Sequence, residues 1–559
     1  MKKLIYLIIL SLFTVVISKA QNPLIIPDTL TGVTINLVLK DSSKQFYTSR
    51  NTNTIGYNGG YLGPTIILNK GQYVTMNVHN QLADTTTTYW HGLHVASQND
   101  GSPHNAIMPG NTWSPGFTVL DNAATYWYHP HLHMKTFEQV LKGAAGLIII
   151  RDSIESALPL PRKYGVDDVP LIFQFKTINP LTKQIMLSDS MDNVVMTNGV
   201  VNPYLNSPAQ VVRYRILNAS SARVFRFGFN DNRIFYQIAS DDGLLNAPVP
   251  LTRLTLGIGE RAEILVNLTD DFGKTLFIKT FGNELPSGFT GGPGGMMGGV
   301  TGPLDNINFN ILQINVTSAT TNAVTAIPSV LTSNNIWLKT GVPIRNFTLQ
   351  AVPVMSTNFF INSTPFKENV NNFSVQKNNV EIWKIQNMTS IAHPFHIHGN
   401  HFYIISKSGS TVPINEQGRK DVVLIAPMQT VELITKYETF NDSMMPYMYH
   451  CHILKHEDMG MMGQFIVNNS VTGINDMATK TPEIYVYPNP TNDFFFIQNK
   501  NTNTVIQQVS ISDVLGRNLL HLTNIDFSKI DISNLPTGQY FIQILTNKTI
   551  TTLKILKQN

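Results

Sequence analysis

The chain predicts an all-β molecule built as stacked β-sandwiches. Short runs of β-branched and aromatic residues, broken by Gly, Pro, Asn and Asp, recur along its whole length. No apolar pattern with the 3.6-residue helical period is sustained. At 559 residues there is room for three or four domains, each with its own core. The formal net charge is +4 and no Lys/Arg run stands out, which argues against a nucleic-acid partner.

From the amino terminus, Met1-Lys2-Lys3 precedes an apolar stretch from Leu4 to Val16, and Ser18-Lys-Ala20 offers a small-x-small cleavage site before Gln21. That is the pattern of a secretory signal peptide, covering residues 1–20. The apolar stretch is too short for a stable membrane anchor, and no other segment resembles a span, so no transmembrane anchor is expected. Export implies an oxidising compartment, yet a single cysteine, Cys451, cannot form an internal disulfide. The thiol is better explained as a metal ligand.

Its neighbours say which metal. In Tyr449-His-Cys-His-Ile-Leu-Lys-His456-Glu457 the thiol lies between two histidines, with a third five residues on and Met461 ten residues on. A soft thiolate among imidazoles with a weak thioether is the ligand set of a blue-copper centre. Zinc does not need that arrangement; a lone His-x-His pair is more often a zinc ligand or a polar strand face. The fifteen histidines would give about 0.4 pairs spaced two apart by chance, and the chain has four: His129/His131, His131/His133, His396/His398 and His450/His452. On a strand such pairs share a face, so His450 and His452 point one way and Cys451 the other. His393, three residues before His396, is free to join Cys451, His456 and Met461 at one mononuclear site. The same-face pairs then converge on a second, histidine-rich site.

The chain also repeats itself. Trp127-Tyr128-His129-Pro130-His131-Leu132, followed by Gly146-Leu-Ile-Ile-Ile150, reads like Met448-Tyr449-His450-Cys451-His452-Ile453, followed by Gly463-Gln-Phe-Ile-Val467. Likewise Tyr89-Trp90-His91-Gly92 reads like His396-Ile397-His398-Gly399, with tyrosine in one copy where the other has histidine. Two related domains are implied.

Together these four segments resemble the copper signatures of three-domain multicopper oxidases, closest to bacterial laccases and cuprous oxidases. The likeness extends to Asp167-Asp-Val-Pro-Leu-Ile-Phe173, Thr197-Asn-Gly199, Arg215-Ile-Leu-Asn-Ala219 and Gly257-Ile-Gly-Glu-Arg261. It implies three cupredoxin-like Greek-key sandwiches at residues 21–155, 156–320 and 321–470, with linkers near 152–166, 318–345 and 470–483. It also implies four copper ions, which pass electrons from a small-molecule reducing substrate to dioxygen. The type 1 ligands implied are His393, Cys451 and His456 with Met461 axial; the type 3 pair takes His91, His129, His131, His398, His450 and His452. Type 2 copper normally takes two histidines: one matches His396, and the other position holds Tyr89. A phenol ligates only if the metal stabilises the phenolate, so type 2 occupancy stays open. His94 is a substitute only if the strand ends at Gly92. Asp100 and Glu457 match the family's proton-delivering carboxylates; their ordinary readings are a turn residue and a surface acid. His133 is expected to support a ligand or to face the substrate, His401 to be structural, and His79, His104 and His521 receive no role.

After about residue 475 the composition changes. Tyr487-Pro-Asn-Pro490 opens a segment that closes with Asp531-Ile-Ser-Asn-Leu-Pro-Thr-Gly-Gln-Tyr540 and a Lys-rich strand. With a linker at 471–482, residues 483–559 resemble the small β-sandwich sorting domain of type IX secretion; an accessory binding module is the alternative. The expected route is the periplasm, then the cell surface or the medium. For the substrate, the resembled cuprous oxidases carry an acidic residue where this chain has Thr389. The chain offers instead Gly291-Gly-Pro-Gly-Gly-Met296-Met297-Gly-Gly299, with Met444, Met445 and Met448. Thioethers suit Cu(I), but a glycine-rich loop is equally a flexible linker. A laccase-type oxidase of diphenols and related donors is therefore the first reading. Cuprous oxidation is second, and a copper-binding or electron-transfer protein with a defective type 2 site is the alternative class.

Overall fold

The structure, a computed structural model, describes residues 22–48, 50–188, 191–294, 302–351, 359–469, 484–499, 505–523, 529–547 and 550–558. The signal peptide, the linker at 471–482 and the Met296-Met297 pair lie outside the described residues. Two compact units, Met1–Ser470 and Val471–Asn559, make up the chain. Strands dominate both, and no described helix is long and apolar enough to cross a membrane.

Among the described residues, six of the sheets lie in the first unit, and each of its three main apolar cores draws on two of them. In strand Thr34–Tyr47 the alternation is plain: Ile35, Leu37 and Leu39 are buried while Thr34 and Asn36 face out. The sheets mix parallel and antiparallel neighbours, Thr34–Tyr47 lying parallel to Tyr73–Asn80 and antiparallel to Arg50–Tyr57. The first described strand, Asn22–Pro23, pairs with Pro203–Pro208 and so belongs to a sheet of the second sandwich. The second unit has a three-stranded and a four-stranded sheet around Phe495, Val509, Ile542 and Ile544.

The internal repeat is a repeat of register. Tyr89–His91 runs antiparallel to Ala124–His129 with Tyr89 opposite His129 and Trp90 opposite Tyr128. His393–Ile397 runs antiparallel to Asp442–Cys451 with His396 opposite His450 and Ile397 opposite Tyr449. On the far side of each tyrosine stands a glycine, Gly146 opposite Tyr128 and Gly463 opposite Tyr449. A Cβ on Gly146 would come within 2.3 Å of the Tyr128 ring, and one on Gly463 within 2.2 Å of the Tyr449 hydroxyl. Each tyrosine lies across its glycine, which explains the residue type at both places. Tyr89 is thereby placed at the position equivalent to His396.

Buried ion pairs lock the three sandwiches around this region. Arg215 pairs with Asp168 and Glu263, and Thr125 of the first sandwich donates to Glu263. Arg261 of the second sandwich donates to the Thr125 carbonyl of the first and to the Asp421 carboxylate of the third. Such charges persist in an apolar interior only because each is paired and hydrogen-bonded.

Candidate metal centres

Three groups of buried histidine and cysteine donors converge among the described residues: His393, Cys451 and His456; His131, His398 and His450; and His91, His129 and His452. In the first, His393 Nδ1 lies 3.4 Å from Cys451 Sγ, and His456 Nδ1 lies 3.7 Å from it. After Cys451 the strand ends and a short helix, Leu454–Asp458, carries His456 back toward the thiol. The Cys451 amide donates to the Met461 carbonyl, and the Met461 amide to the His456 carbonyl, which holds buried Met461 beside the group. Phe359 covers it, with ring centroids 4.3 Å from His456 and 5.1 Å from His393. Burial pushes the Cys451 thiol up and the His393 imidazole down to about 3; a bound metal reverses the first by stabilising the thiolate.

A neutral imidazole has one N–H and one lone pair, so the partner of one nitrogen fixes the role of the other. His393 Nε2 is 2.8 Å from Thr389 Oγ1, whose own hydrogen is directed to Asn387 Oδ1 or the Ile391 carbonyl. His393 Nε2 is therefore the N–H, and the Nδ1 lone pair faces the sulfur. His398 Nδ1 donates to Asp100 Oδ2 at 2.8 Å, and His450 Nδ1 to the Cys451 carbonyl at 3.1 Å. Glu457 lies 3.2 Å from His450 Nδ1 and 3.4 Å from His131 Nδ1. The three Nε2 atoms of His131, His398 and His450 then face one another as lone pairs at 3.1, 3.1 and 3.2 Å. The centre of that triangle is about 1.8 Å from each nitrogen, close to the roughly 2.0 Å of a metal–imidazole bond. In the third group His91 donates from Nε2 to Asp421 (3.1 Å) and His129 from Nδ1 to the Pro130 carbonyl (2.8 Å). This turns the His91 Nδ1 and His129 Nε2 lone pairs toward each other at 3.4 Å, with His452 Nε2 3.2 Å from His91 Nδ1. The three facing lone pairs of the second group and the His91 Nδ1–His129 Nε2 pair of the third repel unless a cation lies between them, and the first sets an imidazole lone pair against a soft sulfur donor, so all three donor sets fit a metal ion.

Tyr89 and His396 do not share this property. His396 Nδ1 donates to the Asp421 carbonyl at 2.8 Å, leaving Nε2 as the acceptor, and the Tyr89 hydroxyl lies 2.8 Å from it. Burial, with Asp100 and Asp421 nearby, pushes the Tyr89 phenol well above 10. The phenol keeps its proton and donates it, so one donor meets one acceptor with no cation required. Tyr89 also stacks on His398, ring centroids 3.9 Å apart and planes within 15°. A further cluster of His91, His396 and Asp421 is likewise self-satisfied, because both imidazoles donate to Asp421.

Asp100 and Glu457 are fully buried, and burial pushes both carboxyls well above their ordinary values. Neither Glu457 oxygen has a well-aligned hydrogen-bond partner. The remaining histidines stand apart from the three groups. The strand does end at His91, with Gly92 at φ +90°, yet His94 turns its Nδ1 to the Gly399 carbonyl at 2.6 Å. His133 packs against Phe366, and His401 takes a bond from Arg419 and stacks on Trp337. His104 bonds Gln464, His79 bonds Thr112 and His521 bonds Ser510.

Three further residues hold the ligands in place, a role that the sequence does not mark. Asp421 orients His91 through its carboxylate and His396 through its carbonyl, and Arg261 holds the Asp421 carboxylate through two bonds. Thr389 orients His393. The nearest signal is Gly92, where a Cβ would come within 2.5 Å of Asp421 Oδ2 and 2.8 Å of Arg261 Nη2.

Models of the multicopper oxidase family match residues 40–155 and 342–471, and a model of a secretion-system C-terminal sorting domain matches residues 485–558. A multicopper oxidase of Staphylococcus haemolyticus is 33% identical over 469 residues, spanning 81% of this chain and 94% of that one. The cell division protein FtsP of Xenorhabdus nematophila is 30% identical over 446 residues, 78% of this chain and 90% of that one. Among solved structures, McoA multicopper oxidase from Aquifex aeolicus superposes with a TM-score of 0.73 at 29% identity, covering 80% of this chain and all of that one. The laccase-like CueO of Ochrobactrum sp. does so with a TM-score of 0.71 at 30% identity and the same coverage.

Proposed function

The chain belongs to the multicopper oxidase family, and on that premise we propose that it oxidises phenolic or aromatic amine donors one electron at a time and reduces dioxygen to water. Its three cupredoxin-like sandwiches are followed by a type IX sorting domain. Copper supplies the one-electron chemistry and the seat for dioxygen. His393, Cys451 and His456, with Met461 axial, would hold the mononuclear type 1 ion. His131, His398 and His450 would hold one ion of the binuclear type 3 pair, and His91, His129 and His452 the other. The observation that carries the reading is the convergence of three sets of buried donor residues, joined through the adjacent residues His450, Cys451 and His452.

Asp100 and Glu457 would serve as proton donors to dioxygen, since each is buried, is held up in pKa and touches the outer nitrogens of one imidazole group. A hydroxyl, Thr389, bonds the outer edge of His393 where a carboxylate would attract a metal cation. This supports a neutral organic donor over a cuprous ion. The Ochrobactrum relative has oxidase activity towards lignin model compounds, a donor class that suits this edge. The sorting domain supports a route through the periplasm to the cell surface or the medium. Copper-loaded protein is expected to take up dioxygen with a phenolic donor, and Cys451→Ser to lose both the uptake and the blue colour of a thiolate–copper bond. Retention of the colour in that variant rejects the type 1 assignment.

A second reading is favoured by the Tyr89–His396 bond: a copper-binding or electron-transfer protein that does not turn over dioxygen. It predicts no uptake by fully loaded protein and a gain of uptake in Tyr89→His.

A further inference from the structure

The oxidase reading leaves an electron unaccounted for. Reduction of dioxygen to two waters takes four electrons and four protons, and the three groups of buried donors make room for three one-electron metal ions. At the fourth place, equivalent by register to His396, stands a phenol whose hydroxyl already bonds His396 Nε2 at 2.8 Å. We propose that the Tyr89–His396 pair takes the place of the fourth metal ion, binding none itself and giving dioxygen the fourth electron. This rests on the oxidase reading above and assigns its tyrosine a catalytic role.

The step balances. One electron comes from the mononuclear ion and two from the binuclear pair. The fourth leaves Tyr89 as its O–H bond breaks, the proton crossing to the His396 Nε2 lone pair and the phenol becoming a neutral phenoxyl radical. The electron's way out is the ring of His398, a member of a facing lone-pair group, on which Tyr89 stacks at 3.9 Å. The imidazolium formed at His396 is met by the Asp421 carbonyl at 2.8 Å and by its carboxylate at 3.6 Å. The O–O bond of dioxygen breaks, and, because the phenolic proton stays on His396, all four protons of the two waters come from solvent by way of Asp100 and Glu457. The next electron from the organic donor, passed on through Cys451, restores the phenol as the proton returns from His396. Tyr89 is fully buried and surrounded by His91, His129, His131, His396 and His398, which isolates such a radical from outside reductants.

Elemental analysis of copper-loaded protein is expected to give three ions per chain with a type 1 EPR signal and no type 2 signal, whereas Tyr89→His gains a fourth ion and that signal. Fully reduced wild-type protein, mixed with dioxygen and rapidly frozen, should give an organic-radical signal that narrows when tyrosine rings are deuterated. Tyr89→Phe should keep three ions and the blue colour, give no radical and take up dioxygen at least about tenfold more slowly. Four ions in wild-type protein, or dioxygen uptake without the radical and undiminished in Tyr89→Phe, overturns the proposal. Uptake that is absent from fully loaded wild-type protein overturns both the oxidase reading and the donor role. Uptake that is present with four ions overturns the proposal and leaves the oxidase reading standing.

Discussion

At the scale of single residues, several of the ligands are oriented by the partner on their other side. His393 turns Nδ1 to the thiol because Nε2 is committed to Thr389, and His91 turns Nδ1 inward because Nε2 is committed to Asp421. Thr389→Val keeps the shape and removes the acceptor. The buried N–H left unpaired costs about 1–3 kcal/mol, and copper affinity at that site is expected to fall roughly 10- to 100-fold. Thr389→Ser should stay near wild type. Titration of the blue absorbance against a competing chelator measures this, and equal affinity in the valine variant removes Thr389 from the site. The grouping of the imidazoles is legible in the sequence because residues two apart on a strand share a face, which needs no tertiary information. Thr389, Asp421 and Arg261 were not legible as partners. Asp421 reaches His91, and Arg261 reaches Asp421, from other strands or loops across the fold, which no local spacing marks; Thr389 lies only four residues before His393, but that spacing does not say that its hydroxyl bonds the ring. His94 shows the limit from the other side, since the strand ends where required but the ring follows the Gly399 carbonyl instead.

Strands and turns carry the site as paired units. In each of two sandwiches a ligand-bearing hairpin partner, a tyrosine and a glycine occupy the same register, so the sequence repeat is one packing solution used twice. Gly463→Ala forces a Cβ to within 2.2 Å of the Tyr449 hydroxyl and 2.7 Å of Asn372 Oδ1. Overpacking of this kind is expected to cost about 1–3 kcal/mol and to displace the strand that carries Cys451. Gly59→Ala meets nothing nearer than 3.8 Å at ordinary φ and should be neutral or slightly stabilising. Thermal unfolding of the two variants with copper bound checks the contrast, which fails if they unfold together. The strand character of the chain was legible from its alternation, as in Ile35, Leu37 and Leu39. The helix Leu454–Asp458 was not, because five residues are too few to show a period, yet it directs His456 to Cys451 and Glu457 to His131 and His450. Nor was the pairing of Asn22–Pro23 with the second sandwich, since two residues carry no register of their own.

Across the whole molecule, the site lies where three sandwiches contribute His91, Arg261 and Asp421 to one buried network, and a sorting unit follows as a separate body. None of the proposed ligands lies beyond residue 470. Deletion of 471–559 should therefore leave the blue spectrum unchanged while abolishing delivery to the surface, as judged by fractionation of the cells. Burying so many imidazoles also makes the metal-free protein sensitive to acid. Burial pushes twelve of them below their ordinary value, His129 and His393 to about 3. In the unfolded chain each titrates near 6.5, so below that pH the unfolded state takes up protons that the folded state refuses. Their contribution to stability is present above pH 6.5 and is lost as the pH falls toward 3, by about 1.4 kcal/mol per pH unit for each fully affected group. Among the described residues, eight carboxyls that burial pushes up, Asp100 and Glu457 among the furthest, act in the opposite sense: their contribution is present at low pH and is lost as the pH rises. The imidazoles outnumber them between pH 6.5 and 5, so the metal-free protein should be less stable at pH 5 than at pH 7. Copper binds only the neutral imidazoles and should move the loss to lower pH. Denaturant midpoints at the two pH values, with and without copper, decide the matter: a metal-free protein at least as stable at pH 5 as at pH 7, or one that copper leaves equally sensitive to acid, is incompatible with histidines buried in the neutral form.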